Sequence, residues 1–328
     1  MYIREISQDS IRGILGCIIT LSQTMGIFFI YLLGAYLGYY TVLWIVVWLP
    51  IATALLMIKA PESPAYLVKK GKIDEAAATL SLLRGLDVDN KSLQTELETM
   101  KNEEEHFRSL PKISFINILK NKSWRRGCIL ILILVTLQMN NGNFAILTYA
   151  GYIFASSGVT FRPELQTLAI PIVMIGASFI SMSCVEKIGR RSLLIAVCCL
   201  AALSLSSLAT SMLLQQRGVA VPGWMAVIST LLYEGAYAGG ISSMPYVIMA
   251  EMFNFQIRAT VMGYLVTHGW FISFVHLFTF TPMAEALGLY STFYYYAIQN
   301  LIGVVVCILF LPETKGKTVE QIENDLSK

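Results

Sequence analysis

Charge is what this sequence is short of. Aspartate, glutamate, lysine and arginine make up 14% of its 328 residues, while 55% are hydrophobic. Soluble domains carry about 25% charged residues, so the shortage argues for a membrane protein before any motif is read. The formal net charge of +3 is too small for a nucleic-acid binder, and no nucleic-acid partner is expected. Histidine is scarce. The six cysteines (Cys17, Cys128, Cys184, Cys198, Cys199 and Cys307) all fall inside apolar runs, without metal-ligand spacing. They read as small reduced core residues, which leaves no metal site and no disulfide framework. No nucleophile–base constellation, phosphate-cradling loop or metal cluster is present, so neither enzyme chemistry nor a cofactor is expected. Met1 to Arg12 is polar and lacks an apolar core, so no cleavable signal peptide opens the sequence.

What is abundant is apolar sequence in long runs. A membrane-spanning helix needs about 20 such residues, and eight runs qualify: approximately Gly13–Gly34 (a), Thr41–Ile58 (b), Gly127–Ala155 (c), Leu165–Val185 (d), Ser192–Leu214 (e), Val221–Ala250 (f), Ile257–Pro282 (g) and Ser291–Leu311 (h). Runs c and f are too long to cross straight. Both are expected to tilt or break, f at Gly235, Gly239, Gly240 or Pro245. The sequence divides accordingly into two helices (1–58), a polar linker (59–126), six helices (127–311) and a tail (312–328), an all-α membrane fold.

The polar stretch Lys59–Arg126 fixes sidedness. Eight helices put it on the same face as both termini, and that face then holds twenty-two of the 24 lysines and arginines. Only Arg162 and Arg217 fall opposite. Without the thirteen central ones the ratio is still nine to two, so the positive-inside rule places both termini in the cytosol. The sequons Asn90-Lys91-Ser92 and Asn121-Lys122-Ser123 are then cytosolic and stay unglycosylated. Within the stretch, Ser63-Pro64 predicts an N-cap with proline in the first turn and Gly71 the stop. A second short helix runs from about Asp74 to Arg84, ended by Gly85, with Ala76, Leu80 and Leu83 on one stripe.

Four motifs then stand in register: Pro61-Glu62-Ser63-Pro64-Ala65-Tyr66-Leu67 after b, Glu186-Lys187-Ile188-Gly189-Arg190-Arg191 between d and e, Ala250-Glu251-Met252-Phe253 with Arg258 after f, and Pro312-Glu313-Thr314-Lys315-Gly316 after h. In this order they resemble the sugar porter family of the major facilitator superfamily. The turn from Asp74-Glu75-Ala76 to Leu83-Arg84-Gly85 looks like its insect facilitated trehalose transporter branch. The resemblance implies a major-facilitator-like bundle of twelve helices, of which this sequence matches about eight, from the fifth onward. It also implies a multi-pass protein of the plasma membrane that moves a small-molecule sugar passively by alternating access, with the lipid bilayer as its surroundings. Oligomeric state is not legible. Two rivals stand beside this reading: a non-transporting member acting as a sensor or inactive partner, and a proton-coupled carrier of another small solute.

Transport needs polar groups facing a cavity near the membrane midplane and a latch that differs between two states. In run c, Gln138, Asn141, Thr148, Tyr149 and Tyr152 fall within about a third of a helix circumference, a stripe that can hold a polyol through donor–acceptor pairs. The plainer reading is helix–helix hydrogen bonding. The family's Gln-Gln-x-x-Gly pattern matches at Gln138 and Gly142, but Met139 replaces the second Gln and Phe144 the following Asn. In run a the family's sugar-binding Gln corresponds to Thr20, with Gln23 one turn on. In f, Gly240-Ile241-Ser242-Ser243 replaces Gly-Pro-Gly-Pro, and Tyr246 stands for its Trp. In g, Trp270 matches a family Trp. The substrate-binding set is therefore Gln138, Asn141, Tyr149, Thr20, Gln23, Tyr246 and Trp270. Glu5, Arg12, Glu186, Arg190, Arg191, Glu251 and Arg258 form the expected latch. Glu234 is placed near the outer interface, where a carboxylate avoids the roughly 2.5–3.5 kcal/mol it costs at the bilayer centre.

Overall fold

The computed structural model describes residues 12–109, 115–156, 163–253, 255–317 and 319–327. Its helices follow the apolar runs because lipid leaves backbone N–H and C=O groups no other partner. The protein separates into two compact units, Met1–Lys112 and Ile113–Lys328. This boundary lies inside the expected linker: residues 113–126 fall with the second unit.

In the first unit, α1 (Arg12–Tyr36) and α2 (Tyr39–Met57) are the apolar pair. Three short helices follow: α3 (Pro64–Lys69), α4 (Ile73–Arg84) and α5 (Lys91–Ser109). Ser63 caps α3 by accepting from the Tyr66 N–H, with Pro64 in the first turn, and Gly85 ends α4 in the left-handed conformation at φ 64°. The stripe of Ala76 and Leu80 meets Leu67, Val68, Leu93 and Leu97 in a small core, each large side chain contributing about 1.5–3 kcal/mol. Arg84, nearly buried, closes it with an ion pair to Glu96 at 2.6 Å.

The second unit runs α6 (Phe115–Lys120), α7 (Lys122–Met139), α8 (Asn143–Ser156), α9 (Pro163–Gln166), α10 (Ala169–Ile188), α11 (Arg190–Gln216) and α12 (Trp224–Ala236). A π-turn (Tyr237–Ile241) leads to α13 (Met244–Met252), then α14 (Phe255–Leu287), α15 (Leu289–Leu309) and α16 (Val319–Ser327). Among the described residues, five helices are long and apolar enough to cross a membrane. The most extensive packing joins α11 to α15 and α12. It uses small residues, Ala201, Ala202, Ser204 and Ala209 on α11 and Ala297 and Gly303 on α15, because close backbone approach, rather than hydrophobicity, holds helices together in lipid. Asn121 caps α7 by accepting from the N–H groups of Ser123 and Trp124. The amphipathic α16 is pinned to α7 through Trp124 Nε1 donating to Glu323 at 2.8 Å and Arg126 to the Leu326 carbonyl.

Both over-long runs break. Run c stops at Met139 and restarts at Asn143, with Gly142 between them at φ 100°. No α-helix passes through that conformation, and the Tyr296 ring sits against the glycine where a side chain would be. The single continuous stripe expected from Gln138 to Tyr152 therefore does not form. Run f breaks at the π-turn, where Gly240 leaves helical geometry, and resumes at Met244-Pro245.

Candidate functional site

The two breaks lie beside each other in the second unit and polar side chains join them. Gln138, at the end of α7, donates from Nε2 to the Ser242 carbonyl, freed by the break after the π-turn, at 2.7 Å. Asn141 accepts on its side chain from the Asn143 N–H at 3.0 Å, and its backbone carbonyl accepts from the Tyr233 hydroxyl at 3.0 Å. Asn143 in turn donates to Glu234 at 2.9 Å. Asn140 donates to the Tyr295 hydroxyl. The bonds to the Ser242 and Asn141 carbonyls and from the Asn143 N–H give backbone groups at the breaks a partner in place of the interrupted helical ladder.

Glu234 is fully buried inside the bundle, 0% exposed. Its Oε1, with Gln138 Oε1 and Asn141 Nδ2, is buried without a hydrogen-bond partner among the described residues. Native structures leave few such atoms. Beside Gln138, Asn300 and Pro245 is a cavity of about 20 Å³, enough for one water molecule and far too small for a sugar.

Gln138 and Asn141 are thus buried and close to each other. The remaining candidates are more scattered. Tyr149 pairs its hydroxyl with Thr281 at 3.2 Å and stacks on Phe280 at 4.7 Å. Trp270 is 62% exposed and lies 6.5 Å from Phe144, so the residue that replaces the amide packs against the tryptophan. Tyr246 is half-buried and Gln23 exposed. Glu5 and the side chains of Arg12, Thr20 and Glu186 lie outside the described residues.

At the end of the bundle where α10 turns into α11, charge is concentrated. Arg190 pairs with Glu251 at 2.9 Å, and Thr314 donates to the same carboxylate at 2.6 Å. Glu251 occupies the last turn of α13, where the helix dipole disfavours an anion, and Arg190 offsets that. Arg191 is engaged differently. It donates to the Cys307 and Ile308 carbonyls, so its guanidinium caps the end of α15. Arg258 donates to the Phe253 carbonyl at 3.1 Å.

Glu313 was absent from the candidate set, yet it organises this cluster. Its carboxylate accepts from the N–H groups of Arg190, Arg191, Thr314 and Lys315 at 3.0–3.2 Å, an anion at the start of α11. Partial burial opposes its charge, but the four backbone donors outweigh that and hold its pKa below the ordinary carboxylate value. The available signal was Gly189, at φ 95° in the turn that receives the carboxylate. Asn143 and Tyr233 were missed as well. The only hint was the spacing Asn141-Gly142-Asn143, an Asx-type turn.

The profile of the "Sugar (and other) transporter" family matches residues 1–326. The chain belongs to this family. It is similar to the facilitated trehalose transporter Tret1 of Bombyx mori, 27% identical over 329 residues, covering 100% of this chain and 64% of that protein. Tret1 of Apis mellifera ligustica is also 27% identical, covering 98% of this chain and 64% of its own length. The chain thus spans a little less than two thirds of the length of these curated relatives. Among solved structures, the inward-open xylose transporter XylE from E. coli superposes with a TM-score of 0.78 at 22% identity, over 99% of this chain and 68% of that one. A proton:xylose symporter XylE structure bound to 6-bromo-6-deoxy-D-glucose gives 0.70. The fold is therefore the all-α major facilitator bundle, the sugar transporter family makes this a multi-pass membrane protein, and the proteins it resembles are transporters rather than enzymes.

Proposed function

We propose that this protein carries a sugar, trehalose or a hexose-like one, down its gradient by alternating access. The observation that carries the reading is the set of buried, unpaired polar atoms at two adjacent helix breaks: Gln138 Oε1, Asn141 Nδ2 and Glu234 Oε1. Broken helices at the bilayer midplane are where transporters of this architecture bind solute, and a polyol offers both donors and acceptors to such atoms. The relatives' function, facilitated trehalose transport, supports the same substrate class. In this reading Gln138 and Asn141 hold hydroxyls, and Tyr149, Tyr246 and Trp270 supply phenol and ring faces. Arg190, Glu251 and Glu313 fasten the ends of α11, α13 and α15 so that the second unit moves as one body, with Glu5, Arg12, Glu186, Arg191 and Arg258 completing the latch. The lysine and arginine bias supports cytosolic termini, and the resemblance to sugar porters supports the plasma membrane.

Buried Glu234 favours a second reading, in which a proton accompanies the sugar. Uptake that follows an imposed pH gradient would choose it over the passive carrier.

The test is uptake of labelled trehalose and glucose by cells expressing the protein, with surface expression measured, against Gln138→Ala. A lost buried hydrogen bond of about 1–3 kcal/mol raises the half-saturation concentration about 5- to 150-fold. Unchanged uptake in the variant removes Gln138 from the site, and no sugar uptake by the surface-expressed wild type ends the carrier reading.

A further inference from the structure

An apolar groove of about 410 Å³ runs between α10, α11 and α12, lined among others by Ala177, Cys184 and Ile188, Val197 and Leu200, and Leu232. It exists in part because the π-turn is small where it faces α10: Gly239 presents no side chain, and a Cβ there would still stand 3.9 Å from Ala177, whereas Gly235 lets α12 approach α10 closely, a Cβ there meeting Val173 at 3.2 Å. The stretch Val173–Ile188 carries the groove roughly 22 Å along α10, more than the ~15 Å that one leaflet's hydrocarbon measures. Its rim is open, since Ile180, Leu200 and Leu232 are exposed. Exposed apolar side chains on helices of a membrane protein are complementary to lipid tails.

One end of the groove is positive. Lys187 lies three residues past Cys184, on the same stripe of α10, and is exposed. Lys315 reaches across to the Lys187 carbonyl at 2.9 Å, bringing a second ammonium to the same place. Among the described side chains, the nearby carboxylates are engaged elsewhere, Glu251 by Arg190 and Thr314 and Glu313 by backbone N–H groups. An apolar channel ending at two ammonium groups is complementary to one chemical class.

We propose that this groove holds one acyl tail of an anionic glycerophospholipid, with the phosphate of its headgroup against Lys187 and Lys315. The tail fills the space beside Gly239, and the lysines select charge at the interface. The groove borders the π-turn but is lined by none of Gln138, Asn141 and Glu234, so it does not depend on which solute they bind.

Native mass spectrometry of the purified full-length protein in detergent tests it, titrating dioleoyl phosphatidylglycerol against dioleoyl phosphatidylcholine. The wild type is expected to retain one phosphatidylglycerol, bound more tightly than phosphatidylcholine by about fivefold for each lysine. Lys187→Gln, a surface change, should lower phosphatidylglycerol affinity about fivefold and leave phosphatidylcholine unchanged. Val197→Trp and Ala177→Phe fill the groove from opposite walls and should each abolish retention of that lipid, with thermal unfolding confirming that the variants fold. Equal affinity for the two lipids, or no change in Lys187→Gln, would overturn the proposal. So would a folded groove-filling variant that still retains the lipid, or preferential retention of cholesterol or of a co-purifying protein.

Discussion

The turn Ile188-Gly189-Arg190 gives a quantitative test of how the second unit is held at its charged end. Gly189 sits at φ 95° and ψ 162°, a region that only glycine enters without a cost of about 1–3 kcal/mol. A Cβ there would lie 2.6 Å from Glu313 Oε2, so the carboxylate must withdraw from the N–H groups of Arg190 and Arg191. Loss of a side-chain cap costs a further ~1–2 kcal/mol. Gly189→Ala should therefore destabilise by about 2–5 kcal/mol, which for a protein of this size is roughly 3–7 °C in Tm. The buried thiols of Cys198 and Cys307 provide the readout, through reaction with a thiol-specific dye on heating. Glu313→Gln alone should cost about 1–2 kcal/mol, because its amide NH2 faces backbone donors. Since both changes break the same contact, the double variant should cost at least ~1 kcal/mol less than the separate costs together. Additive costs, or a Tm for Gly189→Ala indistinguishable from wild type, would refute the reasoning.

Four further outcomes follow from the same geometry. Glu313 has a folded pKa below its unfolded value, so its contribution is complete above the ordinary carboxylate pKa of about 4.3 and is lost as pH falls through the lower, folded value. The acid limb of a Tm–pH curve should flatten in Glu313→Gln. Arg190→Ala leaves Glu251 at the α13 terminus without its cation and should cost about 1–3 kcal/mol. It should also shift the protein towards inward-open states, and unchanged labelling of a cysteine probe at the Lys187 end would count against that. Glu234→Ala strands the Asn143 amide and opens a cavity, so Tm should fall by an amount corresponding to about 2–4 kcal/mol; a Tm equal to wild type would mean the amide has another acceptor. Asn90 and Asn121 should remain unglycosylated, because the lysine and arginine bias puts the linker in the cytosol. A mobility shift on endoglycosidase treatment would reverse the proposed sidedness.

The positions of the apolar helices and of α3 and α4 were legible because their causes are local, whereas α5, α6, α9 and α16 were not foreseen. Apolar length set the membrane helices, Ser63-Pro64, Gly71 and Gly85 punctuated the short ones, and the excess length of runs c and f announced that both would break. The four motifs at helix ends were readable for the same reason, each being a short string at a turn. The identity of the polar partners was not legible. Asn143 meets Glu234 across 91 residues and Gln138 meets Ser242 across 104, and hydropathy could not foretell either, because in lipid one apolar helix face is chemically like another and only packing chooses its neighbour. A periodic stripe also presumes an unbroken helix, and Gly142 ended that at the residue where the stripe should have continued.

The sequence by itself determined that this protein spans a membrane as helices, where those helices lie, which family it belongs to and which turns carry its charge. These follow from composition and from contacts a few residues apart. The tertiary structure alone decided that Glu234 is buried against Asn143, that Glu313 caps α11, that Arg191 closes α15, and that α10 to α12 leave a groove with lysines at its end. Those features depend on distances between segments brought together only when the helices pack, and no property of one helix read alone fixes which neighbour it meets.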